Sequence, residues 1–129
     1  MLNDLKYFAD NTWNQALNID NKIVEITIQG TKEAPAELYL NLAEKIISDV
    51  DNYLYKAQKQ LNTWNLAQSC TPQISSFYFG DYGYGNGKDM DGGFTVSFSD
   101  SDQHTMHTVK FDMHNIPPKF RPTQSGCGL

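Results

Sequence analysis

Residues 93–112 carry the pattern that constrains this chain most. Two runs of alternating apolar and polar residues, Gly93-Phe-Thr-Val-Ser-Phe-Ser99 and His107-Thr-Val-Lys-Phe111, flank the polar turn Asp100-Ser-Asp-Gln103. A period of two puts Phe94, Val96 and Phe98 on one face with Val109 and Phe111, and Thr95, Ser97, Thr108 and Lys110 on the other. This is a hairpin with one face to bury, so the rest of the chain must supply a layer that covers it.

That layer is written upstream. Tyr39, Leu42, Ala43, Ile46, Val50, Tyr53, Leu54, Ala57, Leu61 and Trp64 recur at steps of three and four, which predicts one long helix over about 34–63. Pro35 falls in its expected first turn. Glu33, Glu37 and Glu44 lie toward its start and Lys56 and Lys59 toward its end, as the helix dipole favours.

Lys22-Ile-Val-Glu-Ile-Thr-Ile-Gln29 is a strand with Val24, Ile26 and Ile28 on one face. Residues 12–18 form a strand before it, joined through the turn Asn18–Asn21. Gln73–Phe79 is a further strand, with Phe77 and Phe79 opposed to Tyr78. The expected fold is α+β: a two-layer sandwich in which an antiparallel sheet of about five strands packs against one long helix. Val24, Ile26, Ile28, Ile46, Val50, Ala57, Phe94, Val96, Phe98, Val109 and Phe111 are its expected core. Residues 1–116 make a single domain. Residues 117–129, with Pro117, Pro118 and Pro122, make an extended or flexible tail.

Charge narrows the function. The formal net charge is −5 over 129 residues. A phosphate backbone rewards clustered Lys and Arg, so nucleic acid is not the expected partner. The first residues lack the basic and apolar regions of a signal peptide, and no apolar run is long enough to span a bilayer, which points to a cytoplasmic protein without a membrane partner. In that compartment Cys70 and Cys127 are expected to be unpaired thiols. Cys127 is misplaced by one residue for a prenylation box.

Between the third strand and the hairpin lies Asp81-Tyr-Gly-Tyr-Gly-Asn-Gly-Lys-Asp-Met-Asp91, acidic, glycine-rich and bearing tyrosines. It lacks the calcium register of an EF-hand and the Gly-Lys-Ser/Thr of a phosphate loop, so neither metal nor nucleotide is expected there. His104, His107 and His114 are not spaced for zinc, and no nucleophile stands with them. No catalytic residue and no cofactor is assigned. The chemistry that remains is contact with a basic protein: Asp81, Asp89 and Asp91 supply charge, and Tyr82 and Tyr84 supply anchors. Tyr55 joins them as a candidate, because it falls on the polar side of the helix among Glu44, Ser48, Asp51 and Lys59.

The strand Ile23–Gln29, the helix Ala36–Trp64 and the hairpin Phe94–Phe111 together make the chain resemble small bacterial immunity proteins of polymorphic-toxin and contact-dependent growth inhibition systems. The resemblance spans about 20–114 and is architectural. It implies a non-enzymatic, cytoplasmic, often acidic protein that binds one toxin domain tightly. The expected function is to neutralise a cognate bacterial toxin by occluding a basic or catalytic surface, such as the substrate groove of a nuclease domain. The alternative is a small enzyme or ligand-binding domain that uses the open face of the sheet.

Overall fold

The computed structural model describes residues 2–63, 73–81, 92–99, 106–112 and 122–128. Its strands are β1 (Lys6–Ala9), β2 (Thr12–Ile19), β3 (Lys22–Gln29), β4 (Gln73–Asp81), β5 (Gly92–Ser99), β6 (Met106–Asp112) and β7 (Pro122–Gly128), with helices α1 (Glu37–Ile47) and α2 (Val50–Thr63) between β3 and β4. All seven strands form one sheet, in chain order.

The α+β class holds, and the finer details of the expectation are corrected. The sheet is mixed, because β3 and β4 run parallel while every other neighbouring pair is antiparallel. Parallel neighbours need a long crossover, and the two helices are that crossover. The helical layer is broken in two: Ser48 Oγ donates to the Lys45 carbonyl at 2.8 Å, and Asn52 Nδ2 donates to Asp49 Oδ2 at 3.1 Å. The Ser48 hydroxyl competes with the helix for backbone, and Asp49 N–H turns to the Ile46 carbonyl at 3.1 Å, so α1 stops there and the chain restarts as α2 at Val50. Pro35 lies ahead of α1, bridged to Gly30, and the helix begins two residues later at Glu37. The sheet also exceeds five strands, since β1 and β7 extend its two edges. Within the tail expected over 117–129, Pro122–Gly128 is β7, antiparallel to β6, with Cys127 opposite His107. Cys70 lies outside the described residues.

Two hairpin turns set the register of the first three strands. Asp10 and Asn11 link Ala9 to Thr12, and Asp20 and Asn21 link Ile19 to Lys22. All four turn residues have positive φ, from 52° to 66°. Two-residue loops with both φ positive match the right-handed twist of the strands, and Asp and Asn tolerate that region best after glycine. The register then places Val24, Ile26 and Ile28 on the buried face. Replacing Asn21 by Gly should raise stability by about 0.5 kcal/mol, and Asn21→Val should lower it by about 1 kcal/mol or more, because a β-branched side chain is excluded from positive φ. Urea unfolding of the two variants checks both signs.

The core forms where the helices meet the sheet. Of the expected core residues, all are buried except Val50, which is half-buried against the rest. The register Phe94–Phe111, Val96–Val109 and Phe98–His107 confirms the hairpin pattern. His107 is buried at the core end of that row, 3% exposed. Helix α1 lies over β3 and β4, and α2 over β6 and β7. Tyr53 of α2 meets Phe94 edge-on at 5.6 Å and Phe111 at 6.0 Å. Burial, and then the Asp49 carboxylate, raise the Tyr53 hydroxyl above its ordinary pKa. No helix among the described residues is long and apolar enough to cross a membrane.

Candidate functional site

The pairing gathers carboxylates at one end of the sheet. Gln29 neighbours Thr12, Gly80 pairs with Gly93, Asp81 with Gly92, and Gly93 with Asp112. The last residues of β4 and β6 and the first of β5 therefore stand at the end where β1 turns into β2 and where β3 leaves for α1. Three backbone bonds close that corner: Gly30 N–H to Asn11 O at 2.7 Å, Thr31 N–H to Ala34 O at 2.9 Å and Ala36 N–H to Gln29 O at 2.9 Å. The indole of Trp13 adds a fourth, Nε1 to Thr31 O at 2.7 Å. Asp10, Glu33 and Glu37 are exposed there, and the backbone positions of Asp81 and Asp112 belong to the same end. Lys32 is the accompanying base among the described residues of that corner.

Asp81 is thus the residue at which the acidic segment leaves β4. Tyr82, Tyr84, Asp89 and Asp91 lie outside the described residues. The segment's other root, Gly92, packs under Tyr39 of α1, whose hydroxyl occupies the space a Cβ at Gly92 would need. Tyr55 is 66% exposed on α2, two residues beyond the buried Tyr53. The Tyr53 ring lies over Phe94, two residues along β5 from Gly92. The part of α2 that carries Tyr55 is therefore anchored above the acidic end, while Tyr55 itself projects from the opposite side of the helix.

Sequence reasoning missed Asp10, Glu33, Glu37 and Asp112 as companions of Asp81. Each reads alone as an ordinary turn, helix-start or strand-end residue. Only the parallel β3–β4 pairing brings them to one end, and sequence alternation carries no sign of that pairing.

The open face of the sheet is polar. Glu25, Thr27, Ser76, Tyr78, Thr95, Ser97, Thr108 and Lys110 line it, and Ser97 and Thr108 share a hydrogen bond of 3.1 Å between hydroxyls. Toward β1 a shallow depression of about 390 Å³ is lined by Asp4, Lys6, Phe8, Asn14, Ala16 and Glu25 among others. Asn14 Oδ1 is buried there without a hydrogen-bond donor. Among the described residues no three His, Cys, Asp or Glu side chains come together as a metal site would need. Comparison with protein-family models, with curated proteins and with solved structures returns no match.

Proposed function

We propose that this chain is a non-enzymatic binding protein of the immunity type, which neutralises a cognate bacterial protein toxin by covering a basic surface such as the substrate groove of a nuclease domain. The observation that carries this reading is the acidic end of the sheet. Asp10, Glu33 and Glu37 are held on turns and a helix start whose backbones are bonded to one another, and the segment rooted at Asp81 and Gly92 leaves from the same end. Carboxylates on a preorganised frame complement Lys and Arg on a partner without the cost of ordering a mobile surface at each charge. Tyr82, Tyr84 and Tyr55 are the aromatic anchors of the reading, and Asp89 and Asp91 extend its charge.

The contribution of the acids falls on the association rate. Long-range attraction speeds encounter and is screened over about 8 Å at physiological salt. With the product of the neighbouring gene as partner, association should slow about tenfold or more between low and high salt. Replacing Asp10, Glu33, Glu37 and Asp81 together by their amides should slow it similarly at low salt, with dissociation and thermal unfolding nearly unchanged. Stopped-flow association of the purified pair reads both. Equal rates across salt, with the amide variant binding as the parent does, would remove the acidic end from the interface and with it this function.

A further inference from the structure

Tyr7 of β1 stands opposite Trp13 of β2, and Trp13 stands opposite Ile28 of β3, so all three share the face of the sheet that the helices cover. Ile28 is fully buried there. Helix α1 lies over β3 and β4, and the row runs outward from it to the edge strand β1. Burial falls along the row: Trp13 is half-buried, and Tyr7 is 37% exposed. The two rings meet edge-on at 5.6 Å, with their planes 70° apart. Both are held at their polar tips. The indole Nε1–H donates to the Thr31 carbonyl at 2.7 Å, and the Tyr7 hydroxyl accepts the Asn11 N–H at 3.3 Å. Rings pinned in this way offer contact area to a partner with little further loss of side-chain freedom.

The same bonds tie the aromatic pair to the acids. Asn11 follows Asp10 in the β1–β2 turn, and Thr31 Oγ1 accepts the Glu33 N–H at 3.3 Å. The pair therefore bridges the turn that carries Asp10 and the connection that carries Glu33. Both carboxylates are at exposed positions, with Lys32 as the base beside them.

We propose that the Tyr7–Trp13 pair is a platform for an arginine side chain of a basic partner protein, with the guanidinium against the aromatic surface and Asp10 and Glu33 at its rim. The proposal rests on the acidic end being the interface, and it adds the residue type which that interface selects. Carboxylates alone attract Lys and Arg alike. A guanidinium is planar and weakly hydrated, so it stacks on a ring while its N–H groups reach carboxylates at the side. An ammonium is compact and strongly hydrated, and loses more by leaving water for the same surface. Trp, Tyr and Arg are also the residues that most often dominate binding energy at protein interfaces.

The probe is the peptide acetyl-Gly-Arg-Gly-Arg-Gly-Arg-amide, titrated at low salt into the isotope-labelled full chain. Its lysine counterpart matches it in charge. The Trp13 indole N–H resonance, identified by its loss in Trp13→Phe, should shift saturably, and the arginine peptide should bind about threefold tighter or more. Tyr7→Leu, at an exposed position of an edge strand, should erase that preference and leave lysine-peptide binding nearly unchanged. Tyr7→Phe keeps the ring and should keep the preference. Asp10→Asn combined with Glu33→Gln should weaken both peptides. Equal affinity for the two peptides overturns the platform while leaving the acidic end standing, since the acidic end answers to the salt dependence of association. A preference that survives Tyr7→Leu also overturns it, as does an arginine peptide that gives no saturable shift at millimolar concentration.

Discussion

Phe94→Ala should lower the unfolding free energy by about 4 kcal/mol, the upper range of large-to-small core substitutions. Phe94 is fully buried, and its ring is the hub of the helix–sheet contact. It stacks on Phe111 at 4.5 Å with the planes 3° apart, and on Phe79 at 5.4 Å. Phe77 lies 6.5 Å away, and Tyr53 meets it from α2 at 5.6 Å, nearly perpendicular. Truncation removes the transfer energy of one ring, opens a cavity between β4, β6 and α2, and forfeits aromatic pairs worth about 0.5–1.5 kcal/mol each beyond their area. The neighbours are themselves pinned by backbone pairing in the sheet, so little collapse can fill the space. Against a total of roughly 5–15 kcal/mol, one such change takes a large share. Urea unfolding at equilibrium measures it, with Phe94→Leu as a milder reference near 1–1.5 kcal/mol. A loss under about 1 kcal/mol for Phe94→Ala would mean that α2 does not sit over this row.

The same row shows what the sequence makes legible. Alternation over Phe94–Phe98 and Val109–Phe111 gave face, pairing and register together, because a slip of one residue would turn every phenylalanine to water. Val24, Ile26 and Ile28 were readable for the same reason. Alternation says nothing of strand direction, so β3 and β4 looked antiparallel although a helical layer between them fits a parallel crossover equally well. The break at Ser48–Asp49 was hidden because Ile46, Val50 and Tyr53 keep helical spacing across it. Strand β1 escaped because its burial pattern is almost wholly exposed, with Phe8 at 71%, and an edge strand that buries nothing leaves no hydrophobic period. Strand β7 escaped because Pro122 and the glycines Gly126 and Gly128 mark turns more often than strands. Of the candidate site, composition proposed the acidic and tyrosine-bearing segment from Asp81, of which Asp81 alone lies among the described residues. Its gathering with Asp10, Glu33 and Glu37 is a property of topology, and topology is where single-chain patterns fall silent.

Topology also makes Gly30 the most sensitive glycine of that corner. Gly30→Ala should cost about 3 kcal/mol, at the high end for overpacking, and should disturb the acidic end as it does so. A Cβ at Gly30 would collide with the Ala34 carbonyl oxygen and come within 2.6 Å of Pro35 Cα and 2.8 Å of Ala36 N. All three are backbone atoms. They cannot swing aside, because Gly30 N–H is bonded to Asn11 O, Thr31 N–H to Ala34 O and Ala36 N–H to Gln29 O. Making room for one methyl therefore means parting the β3–α1 connection from the β1–β2 turn, which carries Asp10 on one side and Glu33 and Glu37 on the other. Gly92 provides the contrast. The three atoms nearest a Cβ there all belong to the end of the Tyr39 side chain, its hydroxyl first. Gly92→Ala should cost less, about 1–2 kcal/mol, and Tyr39→Phe should recover part of that loss, since it removes the nearest atom. No single side-chain change should rescue Gly30→Ala. Thermal unfolding of the four variants separates the cases, and backbone amide shifts at Asn11, Thr31 and Ala36 report the displacement directly. If Gly30→Ala leaves those amides in place and costs under about 0.5 kcal/mol, the corner is not closed as described, and the frame that holds the carboxylates together goes with it.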